Sequence, residues 1–312
     1  MKSRLSIPGL SRRTFLGVTA GAALAPVLGS LAADESTESS VKEAIIDIHQ
    51  HTNYSGRSDH HLIAHQEALG ITTTVLLPAG SLYGLDAQCG GNRTVVELTR
   101  RHPDKFVYFG NEVANLPNAV SVIAPMLRAG ARGIGEQKFK VACDSREIEA
   151  IAALAKEFNV PVLMHFQHEV YNTGIERFHK TLEKFPEVNF IGHAQTWWGN
   201  IDRNHDQTSM YPNGPVSVGG ITDRLLADYP NMFGDLSAGS GLNSMIRDED
   251  HARGFLDRHQ DKLLYGSDCN DSLGRGPGCL GAQILAAVRR LAPNDEARRK
   301  ILHRNAKRLL KL

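Results

Sequence analysis

From residue 44 onward, short apolar runs alternate with longer amphipathic stretches, and this alternation narrows the fold more than any other property of the chain. Candidate strands are residues 45–49, 72–77, 106–110, 133–136, 160–165, 188–192, 232–235 and 263–266. Candidate helices lie between them at 60–69, 92–101, 119–129, 145–158, 173–184, 221–228, 251–260 and 281–291. Apolar residues three or four apart mark the helices, as in Ile148, Ile151, Leu154, Ala155 and Phe158. Proline sits near several helix-to-strand junctions, at Pro103, Pro161, Pro186 and Pro230. Strands and helices in strict alternation predict an α/β chain, a (β/α)8 TIM barrel filling residues 44–312. An open doubly wound sheet uses the same alternation, and counting strands does not separate the two. A last helix over 295–312 is expected to pack on the outside, anchored by Ile301, Leu302, Leu309 and Leu310. The longest irregular piece, 195–220, carries Trp197, Trp198, Tyr211, Pro212 and Pro215 and is expected to form a pocket wall or lid.

In such a barrel the chemistry sits at the carboxyl ends of the strands. The first strand ends in Asp47-Ile48-His49-Gln50-His51, where alternation puts Asp47, His49 and His51 on one side. The fourth ends in Glu136, the fifth in His165, the sixth in His193 and the eighth in Asp268. Each of these would be costly to bury without a partner. One shared metal ion satisfies them together, and imidazole with carboxylate suits zinc, iron, manganese or cobalt.

The run from Asp47 to His51, with Met164-His165, Gly192-His193-Ala194 and Gly266-Ser267-Asp268, resembles the amidohydrolase superfamily. Within it, the chain is most similar to the amidohydrolase-2 group, which includes aminocarboxymuconate semialdehyde decarboxylase. The closing segment Ile301-Leu302-His303-Arg304-Asn305-Ala306-Lys307-Arg308 resembles that group's last helix, and the likeness runs in order over residues 44–312. The resemblance implies a metal-dependent barrel enzyme that hydrolyses a C–N or C–O bond of an amide, lactone or ester. A lyase releasing carbon dioxide from an unsaturated acid is the alternative. It makes His49, His51 and His165 metal ligands, Asp268 a ligand and proton carrier, and His193 a second ligand or a donor to substrate. Glu136 either bridges two metals or forms an ion pair, with Lys138 as a weaker bridging candidate. The expected cofactor is a divalent transition metal, Zn2+ first, as one ion or two. Water activated by the metal attacks the substrate, Asp268 moves its proton, and His193 helps to steady the oxyanion.

Other residues carry two readings each. His168 contacts substrate or makes a local hydrogen bond at the rim. Trp197 and Trp198 stack on substrate or pack in their loop. Arg275, in the glycine-rich turn 274–278, is a candidate for a substrate carboxylate. Asp235 orients a ligand or caps a turn, and His60, His61 and His65 are expected near the rim or in solvent. Ser244 and Ser267 lack a G-x-S-x-G context, which disfavours serine hydrolase chemistry. A non-catalytic binding protein on the same barrel would lack a ligand or the proton carrier, and His49, His51, His165 and Asp268 are all present.

Residues 1–33 read as a signal peptide. Lys2, Arg4, Arg12 and Arg13 precede an apolar run from Phe15 to Leu28, and small residues follow. Ser11-Arg12-Arg13-Thr14-Phe15-Leu16 is similar to the twin-arginine export signal, so export machinery is an expected partner and the periplasm or medium the expected location. The apolar run falls short of the ~20 residues that span a bilayer, so no stable membrane anchor is expected. Residues 34–43 form a polar leader. The net charge of +1 gives no sign of a nucleic-acid partner; the expected ligand is a small molecule, and a homo-oligomer stays open. Cys89, Cys143, Cys269 and Cys279 are too scattered for a disulfide framework or a C-x-x-C metal site, and spacing pairs none of them.

Overall fold

Strand β1, Ile46–Gln50, is buried at every position. In the computed structural model, which describes residues 43–80 and 88–312, seven further strands follow it. They are β2 (Thr73–Leu76), β3 (Phe106–Tyr108), β4 (Ile134–Gln137), β5 (Val162–His165), β6 (Phe190–His193), β7 (Met232–Asp235) and β8 (Leu263–Leu264). All pair in parallel with their sequence neighbours, β1 to β3 in one ladder and β4 to β8 in a second.

Backbone hydrogen bonds join the ladders at both ends. After β3, the Gly110 N–H donates to the Gly133 carbonyl at 2.9 Å, and the Gly135 N–H to the Gly110 carbonyl at 3.0 Å. After β8, the Ile48 N–H donates to the Tyr265 carbonyl at 3.1 Å, and the Asp268 N–H to the His49 carbonyl at 2.8 Å. The two arcs therefore make one (β/α)8 ring, and the open-sheet alternative, which would leave two unpaired edges, is not the fold adopted.

Helices cover the ring: α1 (Asp59–Leu69), α2 (Asn92–Arg101), α3 (Ala119–Arg128), α4 (Arg146–Phe158), α5 (His179–Lys184), α6 (Gln195–Gly199), α7 (Ile221–Asp228), α8 (Ala238–Ile246), α9 (Glu249–Arg258), α10 (Leu280–Leu291), α11 (Asp295–Arg299) and α12 (Asn305–Leu310). Local chemistry sets their ends. The Ser58 hydroxyl accepts from the His61 N–H to start α1, and Gly70, at φ 76°, stops it. Ser145 caps α4 in the same way, and Asn159 ends it at φ 51°.

Three expectations change. The helix expected over 173–184 is a 3-10 turn, Ile175–Arg177, followed by α5. Gly174 stands at φ 84°, and the Thr173 N–H is taken by the Val141 carbonyl, so no helix passes through. The irregular stretch after β6 opens with α6 instead, and α8 was not foreseen. The last helix does not lie on the outer ring. Leu309 and Leu310 pack with Ile46, Val75, Phe109, Leu163, Ile191 and Phe233, in the apolar cluster formed by the strands themselves. Ile301 and Leu302, one π-turn earlier, join the layer between strands and helices.

Among the described residues no helix is long and apolar enough to cross a membrane. The expected export signal lies outside the described residues, as does almost all of the leader.

Candidate metal centre

The strand ends bring His49, His51, Glu136, His165, His193 and Asp268 together. The Nε2 atoms of His49 and His51 lie 3.7 Å from one Glu136 oxygen and 3.8 and 3.5 Å from Asp268 Oδ1. The other Glu136 oxygen lies 2.5 Å from His165 Nδ1 and 3.7 Å from His193 Nε2. Asp268 Oδ2 lies 3.8 Å from His193 Nε2. Glu136 thus touches four histidines, and Lys138 stands aside over the Tyr171 ring at 5.8 Å. Asp47, although in the same motif, does not join. The ladder slips register between Asp47 and Gln50, and Asp47 instead accepts from Gln66 Nε2, the Ser267 N–H and the Ser267 hydroxyl.

A network behind the cluster fixes which ring nitrogen faces it. His49 Nδ1 is 2.7 Å from Asp235 Oδ2, and His51 Nδ1 is 2.8 Å from the Leu77 carbonyl. Both acceptors require Nδ1 to carry the proton, which leaves Nε2 as the free donor atom. The Ser237 hydroxyl donates to Asp235 Oδ2 at 2.8 Å, so at 3.0 Å it accepts from His193 Nδ1. His193 therefore also turns a bare Nε2 inward. Gly266 permits this packing, because a Cβ there would stand 2.4 Å from Asp235 Oδ1 and 2.9 Å from His49 Cβ.

Within this cluster two buried atoms are left without a hydrogen-bond partner, His49 Nε2 and Asp268 Oδ1. They face one another at 3.8 Å. Orphaned donor atoms of this kind carry a desolvation cost that a cation would remove. The mutual spacing of 3.5–3.8 Å among His49, His51, Glu136 and Asp268 is close to the edge of a tetrahedron about an ion with ligands at about 2.1 Å. The residues present therefore fit a divalent metal.

The charges say the same. Burial alone would lower the pKa of His49, but the Asp268 and Asp235 carboxylates outweigh it and hold it well above the ordinary value. Burial likewise lowers that of His51, yet its neighbours Cys89 and Asp268 carry it up to about 10. Burial raises Glu136 and Asp268, and the imidazoles beside them, His165 and His49 first, pull both below the carboxylate range. His193 goes the other way, down to about 4, through burial and the charge of His49. Without a cation, protons on His49 and His51 supply the positive charge that the carboxylates demand.

Three conformations near the cluster are ones L-residues seldom adopt. Ala194 follows His193 at φ 81°, Ala238 follows Ser237 at φ 62°, and Asp268 itself stands at φ 43°. Such geometry costs about 1–3 kcal/mol per residue and concentrates at functional sites.

The remaining expectations fall as follows. His168 is partly exposed beside a cavity of about 280 Å³ that Gln167, Thr196 and Gln207 also line. Trp197 and Trp198 are 0% and 2% exposed, which corrects their reading as a substrate-stacking pair. Trp197 stacks on Phe166 and fills the space over Gly192, and Trp198 Nε1 donates to the Asp235 carbonyl at 2.9 Å. Arg275 is exposed in its turn. Asp235 accepts from His49 Nδ1 at 2.7 Å and so fixes that ring. His60 and His61 are exposed, but His65, expected near the rim, is fully buried against Cys279.

Sequence reading missed Tyr54, Cys89 and Ser237. Tyr54 lies edge-on to His51 at 5.0 Å, and the nearby Asp268 charge pushes its hydroxyl pKa up. Cys89 stands close enough to His51 for its charge to raise that ring's pKa. Both come from loops, where no periodicity signals approach. Ser237 stands two residues beyond Asp235, and that spacing alone was available to suggest it.

Comparisons with known proteins agree with this geometry. A family model described as amidohydrolase matches residues 46–312. No curated protein sequence matches the chain. Among similar solved structures is an uncharacterized TIM-barrel protein from Bordetella bronchiseptica, with TM-score 0.61 and 17% identity over 86% of this chain and 98% of that one. Another is a probable 2-pyrone-4,6-dicarboxylic acid hydrolase from Acinetobacter baumannii, solved with citric acid bound, with TM-score 0.60 and 13% identity over 86% and 99%. A 2,6-dihydroxybenzoate decarboxylase from Rhizobium gives TM-score 0.53 and 13% identity over 86% and 99%. At these identities the solved structures speak for the fold, while the family model spans nearly all described residues. A barrel whose strand ends gather four histidines and two carboxylates on fixed ring nitrogens, matched by that model from its first strand to its last residue, belongs to the amidohydrolase family and is an enzyme of metal-dependent hydrolase or lyase type.

Proposed function

We propose that the protein is a metal-dependent hydrolase of a small molecule, cleaving a C–N or C–O bond of an amide, lactone or ester. One observation carries the reading: His49 Nε2 and Asp268 Oδ1 are buried, unpartnered and 3.8 Å apart inside a shell of further ligand atoms. His49, His51, Glu136 and Asp268 would hold one ion. His193 Nε2 stands 3.7 Å from the other Glu136 oxygen and would add to the shell, as would His165 Nδ1 once it gives up its 2.5 Å hydrogen bond to that oxygen. A divalent transition metal of the zinc class supplies Lewis-acid activation of water and of the scissile carbonyl when bound there.

This chain's own groups do the rest. Asp268 presents Oδ1 to His49 and His51 and Oδ2 toward His193, so its carboxylate is placed to take a proton from attacking water and return it to the leaving group. Its pKa, raised by burial but held low by His49, keeps it ionised. His193 is neutral through burial and offers Nε2 to the same space. Tyr54 lies edge-on to His51 at 5.0 Å, and the charge of Asp268 keeps its hydroxyl protonated.

The test is metal analysis of the purified protein, joined to a turnover screen of amides, lactones, esters and unsaturated acids. Expected are bound transition metal and incorporation of labelled oxygen from water into product. Protein that holds no transition metal as isolated and takes none up on reconstitution removes the proposal. Release of carbon dioxide without oxygen incorporation selects the lyase reading, which the Rhizobium decarboxylase among the similar structures favours. The twin-arginine-like run Ser11 to Leu16 supports export to the periplasm or medium, and fractionation of the source cells tests it.

A further inference from the structure

Behind Asp268, on the side away from the histidine cluster, His65, Cys269 and Cys279 bring three ligand atoms within 4.8 Å of one another, all buried. Cys269 Sγ lies 3.8 Å from Cys279 Sγ, and Cys279 Sγ lies 3.3 Å from His65 Nε2. These lengths discriminate between uses. A disulfide needs about 2.05 Å between sulfurs. Two thiolates on one tetrahedral zinc-type ion, at about 2.3 Å each, stand about 3.8 Å apart, and a thiolate and an imidazole about 3.5 Å.

The surroundings suit ligation. The Ala282 N–H donates to Cys279 Sγ at 3.4 Å, so that sulfur already acts as an acceptor. The Leu273 and Gly274 N–H groups hold Asp271 Oδ2 at 2.9 and 2.8 Å, which fixes the turn between Cys269 and Cys279. Arg57 Nη1 and Gln50 Nε2 both donate to the Cys269 carbonyl, at 2.7 and 3.0 Å, which fixes the backbone that carries its sulfur. The donors come from α1, from the turn after β8 and from the start of α10. An ion here would tie α1 to the loop that leaves Asp268.

We infer that His65, Cys269 and Cys279 form a separate three-ligand site for one thiophilic divalent cation of the zinc class. On binding, Cys269 and Cys279 give their thiol protons to solvent and the cation takes their place. No electron moves.

The probe is Co2+ added to the reduced, chelator-stripped full chain. Thiolate-to-cobalt charge-transfer absorption in the near ultraviolet is expected to rise to a plateau. It should persist in Cys89→Ser, which removes the thiol whose charge acts on His51. It should be lost in Cys279→Ser while Co2+ uptake by the histidine–carboxylate cluster continues, showing that the variant is folded. Should Cys279→Ser fail to fold, His65→Gln is expected to weaken and shift the band in its place. A reduced wild-type chain that binds Co2+ with no charge-transfer band overturns the inference. So does a band that disappears in Cys89→Ser and survives in Cys279→Ser. Non-reduced peptide mapping that finds Cys269 and Cys279 cross-linked in the protein as isolated overturns it as well.

Discussion

His49 and Asp235 stand 186 residues apart in sequence, yet His49 Nδ1 meets Asp235 Oδ2 at 2.7 Å with both side chains fully buried. That bond decides the tautomer of His49 and so which nitrogen is offered to a cation. Asp235→Asn keeps the shape but can present an N–H where an acceptor is required, favouring the wrong tautomer. Metal affinity is expected to fall about 10–100-fold, with the circular dichroism spectrum unchanged. Affinity equal to wild type by isothermal titration would show that His49 needs no orienting partner.

Asp268 is the group on which turnover should depend most steeply. Asp268→Asn keeps a ligand oxygen, and asparagine tolerates the φ of 43° found there. It cannot take up a proton. A loss of about 10²–10⁴-fold in kcat is expected, with metal still bound. Measured metal content separates this outcome from simple loss of the ion, and a variant with wild-type kcat refutes the proton role.

Loading the cluster should release protons. His49 is held well above the ordinary imidazole range and His51 at about 10, by the carboxylates and Cys89 against the opposing effect of burial. At neutral pH both therefore carry an extra proton that a cation must displace. The sign follows: apparent metal affinity rises with pH up to about 10 and falls as the medium is acidified. Calorimetric titration in buffers of different ionisation enthalpy counts the protons, and a count of zero at pH 7 contradicts the scheme.

Far from the cluster, Asp223 offers a stability test. Burial alone would raise its pKa, but the His259 ring at 2.6 Å and the charge and hydrogen bonds of Arg258 hold it down to about 2. A depressed carboxyl stabilises the fold above its unfolded value and loses that contribution as pH falls through its folded one. Asp223→Asn should therefore cost up to about 2 kcal/mol at neutral pH, with the gap to wild type closing between pH 3.8 and about 2. Denaturant melts at several pH values measure it, and a constant gap across that window rules the linkage out.

What the sequence disclosed follows from where each signal is stored. His49, His51, Glu136, His165, His193 and Asp268 were legible because each ends an apolar run, and a barrel converts strand ends into neighbours. Asp47 was misplaced because alternation assumes an unbroken ladder, and the register slip before Gln50 breaks it. Helix α8 was illegible because Gly239 and Gly241, two glycines in its first turn, disfavour a helix. Its packing decides it, since a Cβ at Gly241 would stand 2.1 Å from the Leu236 carbonyl oxygen. Trp197 and Trp198 read as a lid because aromatic residues in a long loop suit either use, and only the bare surface of Gly192 shows where Trp197 goes. Tyr54, Cys89 and His65 reach their partners through loops and helix docking, which no local pattern encodes.

Strand β8 is two residues long, and Asp268 lies beyond it, clasped to β1 by the bond from its N–H to the His49 carbonyl. The neighbouring Tyr265 N–H is in turn held by the Ile301 carbonyl, close to the C-terminus. The weld that shuts the cylinder is thus also the hinge-pin of the proton carrier. A nascent chain still missing its final segment lacks the Ile301 carbonyl that holds Tyr265, so the turn carrying Asp268 should lock against β1 only when the last helix docks.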